Sequence, residues 1–91
     1  MTKVGIGIYR KITWEIYRYP NNLCCVAISP KFSLKDKHNK EYMAENKVYF
    51  KDGLYWTDVL YKRKVCREVA RILCVNLWKI YDRHSYGTNS H

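Results

Sequence analysis

The sequence predicts an α+β fold: a small antiparallel β-sheet of three to four strands with one long C-terminal amphipathic helix packed on one face. Three observations lead there. Apolar residues alternate with period two from Val4 to Ile16. An Asp-Gly pair separates two aromatic runs between Val48 and Trp56. Apolar residues then recur at helical spacing from Val65 to Ile80.

In the first stretch Val4, Ile6, Ile8, Ile12, Trp14 and Ile16 hold the even positions, interrupted only by Arg10. Lys3, Gly5, Gly7, Tyr9, Lys11, Thr13, Glu15 and Tyr17 hold the odd ones. Unbroken parity favours one long strand, bent near Arg10-Lys11, over two separate strands, with the even side buried. On that reading Tyr9, Tyr17 and Tyr19 lie on the outer side near Lys3 and Lys11. There they shield a thin sheet by cross-strand pairing, with base stacking the alternative.

Pro20-Asn21-Asn22 is a turn signal, and the apolar run Leu23 to Ile28 is the candidate central strand, stopped by Pro30. Residues 31–46 are polar and read as a long exposed loop with a helical turn near Glu41–Glu45. Val48 to Lys51 and Leu54 to Trp56 form a hairpin, because both central residues of a type I′ turn need positive φ and Asp52-Gly53 tolerates it. Thr57 is the candidate helix N-cap, with Asp58 in the first turn. The helix runs to Tyr81 or Asp82, about 24 residues and roughly 36 Å. Val65, Cys66, Val69, Ile72, Leu73, Leu77 and Ile80 share an arc of about 140°, which must face the sheet. Residues 1–84 form a single domain, and 85–91, with Gly87 and Asn89, form a flexible tail.

Composition narrows the function. A 91-residue chain builds one small core, with little room for an internal ligand cavity. Its formal charge is +9, from 17 Lys and Arg against 8 Asp and Glu, which favours an acidic partner: nucleic acid, an acidic protein surface or an anionic membrane. Neither a signal-peptide pattern nor a run of about 18 apolar residues is present, so the expectation is a cytoplasmic protein with no membrane partner. Cys24, Cys25, Cys66 and Cys74 form no CxxC pattern and read as buried reduced thiols, without a metal. Gly5 and Gly7 sit inside an alternating strand, where a dinucleotide-binding turn would instead open a helix, and no P-loop exists. The chain therefore reads as non-enzymatic and without a cofactor. A small RNA-cleaving enzyme using His84 or Glu15 is the remaining catalytic alternative.

The candidate site is the basic face of the long helix. Arg63, Arg67 and Arg71 are spaced by four and form one row, with Lys64 beside it and Lys62 near the edge of the apolar arc. Trp78 falls in angular register with Arg67 and Arg71, opposite the expected apolar arc. Guanidinium groups in a row with an aromatic suit phosphate contact and base stacking. Lys35 and Lys37 in the polar loop add diffuse phosphate contacts.

Lys62-Arg63-Lys64, Arg67 and Ala70 resemble the basic helix start of double-stranded-RNA-binding domains, whose first and final helices have no counterpart in this chain. Gly7-Ile8-Tyr9-Arg10 with Trp14-Glu15-Ile16 resembles the opening strands of the plant AP2 fold, which reads DNA through its sheet. Both likenesses are partial and assign no family. In style, short and rich in Lys, Tyr and Asn, the chain resembles the host-takeover proteins of tailed phages, which implies the cytoplasm of a host cell. RNA or another nucleic acid is the first expected partner. The alternatives are an acidic host protein, such as a toxin, nuclease or defence factor that the chain would inhibit, and a homodimer formed through Trp78 to Tyr81.

Overall fold

Arg10 and Lys11 both take positive φ, 44° and 74°. That is the geometry of a two-residue type I′ turn, so the alternating N-terminal stretch is a hairpin and not one bent strand. Its arms are β1 (Thr2–Tyr9) and β2 (Ile12–Arg18). The correction has a simple origin. Across a two-residue turn Tyr9 pairs with Ile12, Gly7 with Trp14 and Gly5 with Ile16. The odd positions of β1 therefore share a face with the even positions of β2. Parity looks continuous along the chain while the buried side switches. Tyr9 and Tyr17, expected on one face, lie on opposite faces of the sheet.

The computed structural model describes residues 1–29 and 37–89. The chain continues through β3 (Leu23–Ile28), α1 (Lys37–Glu45), β4 (Val48–Lys51), β5 (Leu54–Thr57), the short β6 (Tyr61–Lys62) and α2 (Arg63–Asn89). The strands form one antiparallel sheet in the order β1-β2-β3-β5-β4, with β6 pairing β3 further along the β5 side. The α+β architecture is as expected. Six strands are found among the described residues because the first stretch splits and Tyr61–Lys62 adds one more.

Local chemistry explains most turns. Pro20–Asn22 makes the β2–β3 turn, with the Asn22 amide donating to Tyr19 O and the Asn21 side chain accepting from the Leu23 amide. Asp52 and Gly53 adopt φ of 53° and 79° between β4 and β5, the predicted type I′ hairpin. Two other expectations need correction. The helical turn expected near Glu41–Glu45 is there, but it belongs to a longer helix, α1, which starts at Lys37 and buries Asn39 and Met43 against the fold instead of lying in an exposed loop. Thr57 does not cap a helix. It ends β5, and its hydroxyl accepts a 3.0 Å bond from the buried Val26 amide. β3 pairs with β5 at Ala27 and Ile28 and with β6 at Leu23 and Cys24, so Thr57 fills the break in the ladder between them. Thr57→Val should cost about 1–3 kcal/mol by leaving a buried amide unpaired, and Thr57→Ser should recover most of it. Urea unfolding of the two variants would check this; equal midpoints would remove the role.

The main core lies between the sheet and α2. Ile12, Trp14, Ile16, Val26 and Ile28 meet Cys66, Ala70, Leu73, Cys74 and Leu77 there. The helix is turned by about 80° from the orientation its apolar arc predicts, taking 100° per residue. Val65 and Ile72 are exposed, while Cys66, Ala70 and Cys74 are buried. These three small side chains recur every four residues and let the helix axis approach the central strand closely, which two β-branched residues would prevent. The other sheet face carries a thinner layer, in which Tyr17, Tyr19, Leu54 and Leu60 cover Cys25, Ala27 and Trp56. The Tyr17 and Trp56 rings meet at 5.1 Å.

Candidate functional site

The rotation of α2 decides where its basic residues lie. The Arg row was read as pointing away from the sheet. It runs instead along the flank of the helix, beside the edge strand β1. The Arg63 guanidinium donates a 3.1 Å bond to Val4 O near the start of β1. At the far end of the strand, the Arg10 guanidinium lies 4.5 Å from the Trp78 ring centroid. Fifteen helical residues rise about 22 Å, and six extended residues span about 20 Å. α2 and β1 therefore run side by side in the same direction between these two contacts.

Arg63, Lys64, Arg67 and Arg71 are all exposed along this lane. Lys62 is exposed too, but it lies in β6 beside β3, where alternation with the core-packed Tyr61 turns it to the other sheet face, so the structure does not bring it into the row. A groove of about 360 Å³ separates Gly5 and Ile6 of β1 from Arg63, Lys64 and Arg67 of α2. Arg71 also donates to Glu68 at 2.9 Å, and that carboxylate holds its guanidinium further up than the ordinary arginine value. Repetition at i, i+4 sets successive guanidinium groups about 6 Å apart along the axis. Such a row can meet a series of anionic groups on one linear ligand.

Trp78 is half-buried, not exposed. It packs against the main core, meets Tyr81 edge to face at 5.5 Å and lies beneath Arg10. The same helix rotation brings it to the sheet edge. Lys37 opens α1, away from the Arg row in the chain, and its side chain is not described; Lys35 lies outside the described residues. Arg10 was missed by sequence reasoning, because it joins the lane only through the unrecognised β1–β2 turn. An Arg-Lys pair is unusual at two positive-φ positions, so the turn carried no familiar signal.

Several other described polar groups make contacts within the fold. Lys3 pairs with Glu15, whose carboxyl that contact holds below the ordinary carboxylate value, and the Tyr17 hydroxyl donates to Glu15 at 3.0 Å. Tyr42 accepts a 2.9 Å bond from Asn76 across α1 and α2, and burial raises its phenol. Burial pushes the Cys66 and Cys74 thiols up to about 11, so both stay protonated and unreactive near neutral pH. Among the described residues, no group of three or more His, Cys, Asp or Glu is placed to hold a metal ion, and no helix is long and apolar enough to cross a membrane.

Compared with known proteins, the chain matches no family model, no curated protein and no solved structure.

Proposed function

We propose that the protein is a non-enzymatic RNA-binding module of the cytoplasm. In this reading Arg63, Lys64, Arg67 and Arg71 contact successive phosphates, and Lys62, on β6, adds positive charge without joining the row. Trp78 serves by holding Arg10 in line with it. One observation carries the reading: Arg63, Lys64, Arg67 and Arg71 are exposed along about 12 Å of helix and the exposed Arg10 prolongs the lane to about 20 Å, with Glu68 the one carboxylate between Lys62 and Arg71. Arg predominates over Lys in the row, and its planar fork suits phosphate oxygens. A straight row with a helical repeat of about 6 Å favours an extended single strand over the curved backbone of a duplex.

The test is a titration of fluorescein-labelled single-stranded RNA by anisotropy across a salt series. Four phosphate contacts predict a slope of about −3 for log affinity against log salt, at 0.7 per contact. Protein isolated at low salt should show a raised 260/280 nm absorbance ratio that RNase collapses. A clean ratio together with a flat salt dependence would end the nucleic-acid reading.

A further inference from the structure

The free edge of β1 is the least explained part of the molecule. Among the described residues β1 stands at one end of the sheet and pairs only with β2. Tyr9 and Ile12 close the two-residue turn as a hydrogen-bonded pair, and antiparallel ladders alternate. Ile6 and Ile8, opposite Glu15 and Thr13, therefore turn their N–H and C=O groups away from β2. Their side chains are 66% and 67% exposed, among the most exposed large apolar residues described.

Edge strands normally carry a charge, a proline or a bulge against pairing. β1 has its bulge between Lys3 and Gly5, and Arg63 caps Val4 O there. The stretch Gly5-Ile6-Gly7-Ile8-Tyr9 has none of these devices within it. The groove beside Arg63, Lys64 and Arg67 opens onto this same stretch.

We infer that the β1 edge is a strand-addition site for an extended acidic segment of another protein, one in which carboxylate and apolar side chains alternate. An added strand pairs its backbone with Ile6 and Ile8. On the outer face its apolar side chains cover those two residues. On the helix face its carboxylates point toward Lys64, Arg67 and Arg71, because alternate side chains of a strand take opposite faces. Charge decides against a second copy of this chain. Antiparallel self-pairing centred on Gly7 would set Lys3 against Lys11 at both ends, in a protein of net charge +9. The site goes beyond the RNA reading but shares its cations, so an added strand and bound RNA exclude each other.

The probe is a labelled heptapeptide of alternating Glu and Val with blocked ends. The control has the same composition with all Glu preceding all Val. The alternating peptide should bind at least about tenfold more tightly. Amide hydrogen exchange followed by NMR supplies the specific signature. The Ile6 and Ile8 amides should slow by at least about tenfold on binding, while those of Gly7 and Tyr9, already bonded to β2, should change little. Ile8→Pro removes only an outward N–H, which an edge strand tolerates, and should abolish peptide binding while RNA binding persists. Should that variant not fold, the exchange pattern of the wild-type protein decides alone.

Equal binding of the two peptides, no binding, or unprotected Ile6 and Ile8 amides would each overturn the proposal. Protection that grows with protein concentration in the absence of peptide would overturn it in favour of self-association. RNA bound without peptide binding sinks strand addition alone, and peptide bound without RNA sinks the nucleic-acid reading alone.

Discussion

Gly7→Ala is expected to cost about 3 kcal/mol of folding stability, through overpacking at a site with no room to relax. A Cβ at Gly7 would lie within 2.6 Å of Cζ2, Cε2 and Cη2 of Trp14, whose ring lies across the strand. Trp14 is itself 93% buried in the main core and cannot swing aside. The smaller unfolded-state entropy of Ala returns under about 1 kcal/mol. Gly5 is the internal control. There the nearest atoms, at 3.1 Å, are the ends of Arg63 and Ile16, which can move, so Gly5→Ala should stay within about 1 kcal/mol of wild type. Urea midpoints measure both. Adding Trp14→Leu to Gly7→Ala should cost less than the sum of the two single changes, since the clash is gone. A wild-type midpoint for Gly7→Ala would mean that the Trp14 ring does not sit over β1.

This pairing also shows why the N-terminal hairpin was hard to read. Two glycines in an alternating strand look like weak β formers, yet here they make room for the aromatic and aliphatic residues of the neighbouring strand. Only the partner strand reveals that, and the partner follows from a turn the sequence did not advertise. The β4–β5 hairpin was legible because its cause is local: Asp52-Gly53 sets the turn by itself. The existence of α2 was legible for the same reason, and the basic row with it, since spacing of four fixes a row on any helix. The orientation of that row was not. Cys66 belonged to the expected arc, but Ala70 and Cys74, which lay outside it, join Cys66 in the core in place of Val65 and Ile72 because they are small enough for close approach to β3. Arg10 and the free β1 edge depend on both corrections, so no reading of residues alone could bring them to the site.

Arg67→Ala combined with Arg71→Ala is expected to weaken single-stranded RNA binding roughly 25-fold at 0.1 M salt. Each phosphate contact contributes about 0.7 to the salt slope, and hence about 0.7 logarithmic units at that concentration relative to 1 M. The slope itself should fall from about −3 to about −1.4. Both side chains are exposed and neither belongs to the core, so the urea midpoint should not move. Arg63 is a poorer probe, because its removal also uncovers Val4 O at the strand edge. Two further variants separate a built row from net charge. Lys51→Ala with Lys79→Ala removes the same charge from exposed positions outside the row, and should leave the slope close to −3. Glu68→Gln frees Arg71 from its carboxylate partner and should raise affinity. If the Lys51 and Lys79 pair costs as much as the Arg67 and Arg71 pair, binding follows total charge and α2 presents no site. If only the arginines matter and Glu68→Gln strengthens binding, the phosphates lie along the lane between α2 and β1.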